Sequence, residues 1–142
     1  DVVYKVRTGA YRFVNIAQRK KRIAVEYTIL GEKRDIALVH TDEVVLRDAA
    51  SALEFMMSAQ YETGCRKLIL PKACVAEAFF SLRTGLAGEI LQKFVNYQMR
   101  LAIVGEYDHY TSKPLQDFIR ESNRGREICF LPSVEEAVRK LT

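Results

Sequence analysis

The chain contains few side chains that can perform acid–base or nucleophilic chemistry together. His40 and His109 are its only histidines. A nucleophilic pair would combine His109 with Cys74 or with Ser112, because such catalysis needs a base within hydrogen-bond reach of the nucleophile. No recognised motif surrounds either pair, and cysteine is among the most frequently buried residue types. An incidental buried Cys74 is the alternative, and the sequence predicts no catalytic residue.

The segment GEYDHYTSK at 105–113 combines acidic, aromatic and hydroxyl side chains. It follows a predicted buried strand, and ligands of open α/β sheets bind beyond the carboxyl ends of the strands. We expect this segment to contribute four residues to a recognition surface, namely Tyr107, His109, Thr111 and Lys113. The alternative is an exposed connection without a binding role. Surface charge accounts for Glu106 and Asp108, and no tight cluster of His, Cys or carboxylate residues predicts a metal site.

A second candidate site lies where a predicted helix begins, in the sequence LRTGLAG at 82–88. The free N–H groups of a helix start carry roughly half a positive charge and favour anions. Gly85 and Gly88 would leave the first turn bare, and Arg83 would add hydrogen-bond donors beside it. We therefore expect residues 83–89 to bind a phosphate, a carboxylate or a protein partner. The alternative is structural: Thr84 caps the helix, and the glycines let it pack closely against the sheet.

The elements that must position these residues alternate between helical and strand patterns. Residues 23–30 and 35–40 are rich in β-formers and flank a turn with Gly31, which predicts an antiparallel hairpin. Further strands are predicted at 67–70, 100–105 and 127–131, and helices after Asp48, Thr84, Thr111 or Ser112, and Ser133. The stretch 72–82 is ambiguous. Strands joined by crossover helices lie parallel, so we predict an α/β fold with a mixed, mostly parallel sheet covered by helices.

Length and charge divide the chain into two parts. Its 142 residues, 49% of them hydrophobic, suit one globular domain. Residues 1–34 hold nine basic and three acidic side chains, whereas the rest holds 13 basic and 15 acidic ones. We predict a basic N-terminal extension at 1–22 and an α/β domain at 23–142. A basic run in the extension is a possible contact for nucleic-acid phosphates, and a solvated tail is the alternative: Arg19, Lys20, Lys21 and Arg22.

Cysteine usage and hydropathy bear on the compartment. The three cysteines form no C-x-x-C pair and are odd in number, which argues against a disulfide scaffold. All apolar runs are shorter than the roughly 18 residues that a membrane span requires. We expect a cytoplasmic protein that does not contact membranes and needs no cofactor, since no dinucleotide-binding or P-loop motif occurs. Because residue 1 is Asp without a signal sequence, we expect the chain to belong to a longer product.

Two stretches give the chain a specific resemblance. From about residue 34 to residue 141 it resembles a bacterial family known only as a domain of unknown function, which shares the segment FFSLRTGLAGEILQKF at 79–94. A second shared stretch consists of YTSK at 110–113 and FIRESN at 118–123. The resemblance implies no activity, because the family has none assigned.

The element order is also similar to that of STAS domains, the anti-sigma-factor antagonists and anion-transporter tails. In that family a loop of the type Asp-Ser-Ser-Gly-Leu-Gly opens a helix after a strand. The resemblance places residues 82–88 on this loop, with Thr84 at the position of the phosphorylatable serine. Leu82 stands where the family has an acidic residue, and Arg83 adds a positive charge. The resemblance implies a single STAS-like domain that binds at this loop, while the two departures argue against kinase-controlled switching.

These features predict a non-catalytic bacterial domain for interaction or ligand sensing. Its binding surface would combine residues 83–89 with residues 105–113, and its partner would be a protein or a small anion. The first alternative is a small-molecule enzyme that uses His109 in the same crevice. The second alternative is the sensing part of a nucleic-acid-binding regulator, with the basic extension as its arm.

Overall fold

The computed structural model describes residues 2–5, 11–14 and 24–142, with side chains from residue 25 onward. These residues form one seven-stranded sheet and four α-helices, which confirms the predicted α/β class. The strands are β1 (Val2–Lys5), β2 (Tyr11–Val14), β3 (Ala24–Leu30), β4 (Ile36–His40), β5 (Lys67–Pro71), β6 (Arg100–Val104) and β7 (Ile128–Leu131). The helices are α1 (Ala49–Thr63), α2 (Leu86–Asn96), α3 (Lys113–Arg124) and α4 (Val134–Leu141).

The strands lie side by side in the order in which the chain reaches them. Neighbours are antiparallel from β1 to β4 and parallel from β4 to β7. The predicted hairpin is formed by β3 and β4, in which Leu30 pairs with Ile36. Its turn contains Gly31 with a φ of 89°, a conformation that glycine adopts without steric cost. The mixed sheet and its hairpin are therefore confirmed.

Two strands lie in the segment that the sequence analysis treats as an extension. β1 pairs with β2, and β2 pairs with β3, so both belong to the same sheet as the rest of the domain. The domain boundary at residue 22 stays a prediction. The basic run of Arg19, Lys20, Lys21 and Arg22 lies outside the described residues.

The helices cover the two faces of the sheet unequally. Side chains of α1, α2 and α3 share one core cluster with the sheet, whereas α4 packs on a second, smaller cluster through Ala137 and Leu141. Right-handed crossovers between parallel strands laid down in sequence place every connecting helix on the same face. α4 follows the last strand and is free to cover the other face. Within β6, Leu101 points to the first cluster and Ala102 to the second, which explains its continuous apolar run.

Local capping follows the predicted pattern at three helices. Asp48 accepts from Ser51 N–H at 2.7 Å at the start of α1, and Gly64 ends that helix with a φ of 75°. Ser112, and not Thr111, caps α3, with its hydroxyl 3.4 Å from Leu115 N. Ser133 caps α4 through Glu136 N–H at 3.2 Å. These caps fix where the loops at the carboxyl edge of the parallel strands begin and end.

Candidate functional site

The ambiguous stretch between β5 and α2 consists of short turns and contains no further α-helix. Three 3-10 turns occupy it, at Lys72–Cys74, Glu77–Phe80 and Leu82–Thr84. The last turn ends at Gly85, which has a φ of 76° and is the residue from which α2 starts. A compact segment, held by hydrogen bonds within its own turns, therefore precedes the start of α2.

Thr84 lies one residue before the N-cap of α2, and its hydroxyl bonds to the backbone on both sides. Its Oγ1 lies 3.0 Å from the carbonyl oxygen of Ala78 and 2.8 Å from that of Ser81, and it accepts from Leu86 N–H at 3.2 Å. The N-cap of α2 is Gly85, which has no side chain to offer. Thr84 thus fastens the preceding turns to the helix, and its hydroxyl is committed to the backbone.

The first turn of α2 is open. Gly85 and Gly88 are exposed, and a Cβ built on either residue would meet nothing within 4 Å. Close packing therefore requires neither glycine, although the positive φ favours glycine at position 85. Glu89 N–H donates to the carbonyl of Gly85 at 3.1 Å, so the amides of Ala87 and Gly88 precede the helical ladder without a side-chain cap. Ala87 is buried, and Gly88 is the exposed residue of the two.

Arg83 lies on the surface immediately before this open turn. It is exposed, and within residues 24–142 it makes no hydrogen bond or ion pair. Its guanidinium can therefore reach a ligand without breaking a contact in the protein. Glu89, also exposed, is the acidic residue of the first turn and complements the helix dipole.

Tyr107 belongs to the core more than to the surface. Its hydroxyl donates to the carbonyl of Ile103 at 2.6 Å, and its ring packs on Phe130 with centroids 5.6 Å apart. Burial, with smaller contributions from Tyr110 and Cys129, raises the pKa of its phenol. The residue therefore anchors the segment 105–113 to the end of β6.

His109 is held on the surface by its neighbours. Its Nδ1 lies 2.8 Å from a carboxylate oxygen of Glu106, and its ring lies 4.0 Å from that of Tyr110 between centroids. The hydrogen bond from His109 is the main cause that lowers the pKa of Glu106. The nucleophiles considered for an enzyme are engaged elsewhere, because the Cys74 thiol lies 3.5 Å from the carbonyl of Thr41 and Ser112 caps α3.

Thr111 and Lys113 complete the predicted residues of this segment, and both are exposed. Lys113 is the first residue of α3 and pairs with Asp117 at 3.2 Å, one turn further along the helix. In the described part of the chain, no hydrogen bond or ion pair joins Arg83 or Thr84 to this segment. The turn that precedes residues 83–89 contacts the segment through Phe80, whose ring stacks on that of Tyr110 with centroids 5.2 Å apart.

A cluster that the sequence analysis missed lies at this junction. Lys72 follows β5, and its Nζ lies 4.8 Å from the ring centre of Phe80 and 4.9 Å from that of Tyr110. The Tyr110 hydroxyl donates to Glu77 at 2.9 Å. Burial, together with that carboxylate, raises the pKa of Tyr110. The signal in the sequence was modest: Lys72 comes directly after the Pro71 that ends β5, at the edge where ligands of such sheets bind.

Comparison with known families identifies this chain by its core domain. The profile of the family described as "Domain of unknown function (DUF4180)" matches residues 31–141. The chain therefore belongs to that family, as its shared segments predicted. Comparisons with curated proteins and with solved structures gave no significant match. The similarity to STAS domains stays an expectation.

The described residues also bear on membrane insertion and on metal binding. Among the described residues, no helix combines the length and the apolar character needed to cross a bilayer. The same residues hold no group of three or more His, Cys, Asp or Glu side chains placed to bind a metal ion.

Proposed function

We propose that this chain is a non-catalytic domain that binds a small anion, or an acidic group of a protein partner, at the start of α2. The observation that carries the proposal is the start of α2, where exposed Gly88 has an uncapped amide and open space around it, and where exposed Arg83 makes no hydrogen bond or ion pair within residues 24–142. Helix N–H groups and arginine both prefer oxyanions, and arginine binds carboxylate and phosphate through two parallel hydrogen bonds.

The segment 105–113 supports the proposal as the second wall of the surface. Phe80, in the turn Glu77–Phe80, stacks on Tyr110, and the ring of His109 lies tilted against that of Tyr110. Rings and exposed hydroxyl groups next to a charged contact suit a ligand with a polar head and a flat body. A cytoplasmic location is part of the proposal, and the three free, buried cysteines support it because they need no oxidising compartment.

Substitutions of Gly88 test the proposal with a matched pair. Gly88 is the third residue of α2, and the space for a side chain is open. Gly88→Asp places a carboxylate over the first-turn amides, where acidic side chains also favour the helix. Inorganic phosphate, titrated by calorimetry, should bind Gly88→Asp about tenfold more weakly than the unsubstituted chain. Gly88→Ala should bind as the unsubstituted chain does, and equal affinity of all three proteins would remove the proposal.

Arg83→Gln provides an independent test of the same surface. The substitution removes an exposed charge that stabilises nothing within residues 24–142, so the fold should keep its melting temperature. Phosphate affinity should fall, and the salt dependence of binding should become weaker because one charged contact is lost. An unchanged salt dependence would show that Arg83 takes no part.

An enzyme that uses His109 is the second candidate function. The Glu106–His109 hydrogen bond favours it, because a carboxylate on Nδ1 orients the imidazole and leaves Nε2 for proton transfer. Turnover of a substrate from a broad panel that disappears in His109→Ala would establish this function. Turnover that survives the substitution would exclude His109 as its base.

A further inference from the structure

Lys72 places its ammonium group at the carboxyl edge of the sheet. Its side chain is only 19% exposed, and its ammonium lies against the rings of Phe80 and Tyr110. Ring faces compensate part of the lost hydration of a cation, but they accept no conventional hydrogen bond. The rings therefore keep Lys72 in place without accepting hydrogen bonds from its three N–H donors.

No protein group in residues 24–142 takes up those donors. The nearest carboxylate, that of Glu77, lies 3.9 Å from Nζ, which is beyond hydrogen-bond distance. Glu77 is 73% exposed and already accepts from the hydroxyl of Tyr110. An exposed ion pair at this distance contributes little, so Glu77 is a weak competitor for an incoming acceptor.

The backbone at the end of β6 fixes the position of Lys72. A Cβ at Gly105 would lie 2.6 Å from the Cβ of Lys72 and 3.0 Å from its Cδ. The stem of the lysine thus rests directly on the glycine, and any other residue there would displace it. Gly105 is in this sense a positioning residue for the ammonium.

We infer that Lys72 binds an oxyanion carried by a small molecule with a planar body, at a site that shares the rings of Tyr110 and His109 with the proposed surface but does not use the start of α2. An ammonium whose donors meet no protein acceptor can bind carboxylate or phosphate oxygens, and it repels a second cation. The partly buried ring of Tyr110 stacks on the buried ring of Phe80 with centroids 5.2 Å apart, and the exposed ring of His109 lies tilted against Tyr110 at 4.0 Å. The aromatic surface of Tyr110 and His109 that remains exposed suits an aromatic acid, so benzoate is the simplest probe.

Nuclear magnetic resonance of the full chain tests the inference at residue level. Benzoate should shift the amide signals of Lys72 and Gly105 in a saturable way, whereas neutral benzamide should not. Acetate and inorganic phosphate show which oxyanion Lys72 prefers. Acetate should bind more tightly than phosphate if the site selects carboxylates, and phosphate should bind more tightly if it selects phosphates. Lys72→Met should weaken benzoate binding about tenfold or more, as expected for a lost charged hydrogen bond.

Control variants separate this site from the rest of the molecule. Lys33→Met removes an equal charge from the exposed turn before β4 and should leave benzoate affinity unchanged. Lys72→Gln should weaken benzoate binding as much as Lys72→Met does. If one of the two variants proves unstable, the other still tests the inference. Benzoate binding that persists in both Lys72 variants, equal binding of benzamide, or no shift at Lys72 and Gly105 would overturn the inference. Shifts at Ala87 and Gly88 report on the proposed function separately, so each can fail alone.

Discussion

The side-chain amide of Asn123 makes two hydrogen bonds to the backbone of Phe130 on the open side of β7. Its Oδ1 accepts from Phe130 N–H at 2.7 Å, and its Nδ2 donates to the Phe130 carbonyl at 3.1 Å. The carbonyls of Glu127 and Leu131 accept from the β6 side, so the alternation of a strand turns Phe130 away from β6. Asn123 therefore imitates a neighbouring strand and covers part of an edge that would otherwise invite association.

Asn123→Ala should lower the free energy of unfolding by about 1–2 kcal/mol, because it leaves the two backbone groups of Phe130 without partners. Urea denaturation measures the change. Asn96→Ala is the matched control: Asn96 also lies near the end of a helix, but within residues 24–142 its side chain bonds only to the exposed Gln92. The control should change stability by about 0.5 kcal/mol or less. Equal effects of both substitutions would mean that the edge bonds contribute nothing.

The two glycines at the start of α2 should respond to alanine with opposite signs. Gly85→Ala forces a side chain into a φ of 76° and should destabilise the fold by about 1–2 kcal/mol. Gly88→Ala enters open space inside a helix and should stabilise the fold by about 0.5–1 kcal/mol. Thermal and urea unfolding measure both values. A destabilising Gly88→Ala would contradict the open first turn.

The three cysteines should react slowly with thiol reagents. Cys65, Cys74 and Cys129 are buried, and burial raises the pKa of each thiol. Little thiolate is therefore present at pH 8, and a disulfide reagent must wait for the fold to open. The colour released by Ellman's reagent should appear slowly from the native chain and at once in denaturant. Fast release of one equivalent from the native chain would contradict the burial of that thiol.

The pair of Glu106 and His109 predicts a defined pH response. The hydrogen bond from His109 lowers the pKa of Glu106 in the fold, so the pair stabilises the segment above the ordinary carboxyl pKa. That contribution is lost as the pH falls through the lowered value. His109→Ala should raise the pKa of Glu106 toward that of a free glutamate, which carbon NMR of the carboxyl group follows during an acid titration. An unchanged pKa would mean that the backbone amides alone hold the carboxylate.

Much of the fold could be predicted because local signals and hydrophobic periodicity agree. The pattern after Asp48 and the stop at Gly64 define α1, and the apolar run at 100–105 marks a strand buried on both faces. The family membership followed in the same way from the segment at 79–94. These features depend on residues close in the chain, which a sequence displays directly.

The candidate site depended on contacts between distant segments, and these could not be predicted. The hydroxyl of Thr84 suits an N-cap by residue type, but the N-cap of α2 is the next residue, Gly85, and the hydroxyl also bonds to the carbonyls of Ala78 and Ser81 in the turns before it. Lys72 joins Phe80 and Tyr110 only because β5 and β6 are neighbours in the sheet. Neither fact follows from spacing along the chain, since both require the positions of the neighbouring elements.

The most direct test of an anion site at α2 is a titration of the isotope-labelled chain with inorganic phosphate, followed by amide NMR. Binding at the open first turn predicts saturable shifts centred on the amides of Ala87 and Gly88 and on the Nε–H of Arg83, and weaker shifts in Gly88→Asp. The account would be contradicted if the signals at those positions stayed unchanged up to the highest phosphate concentration of the titration.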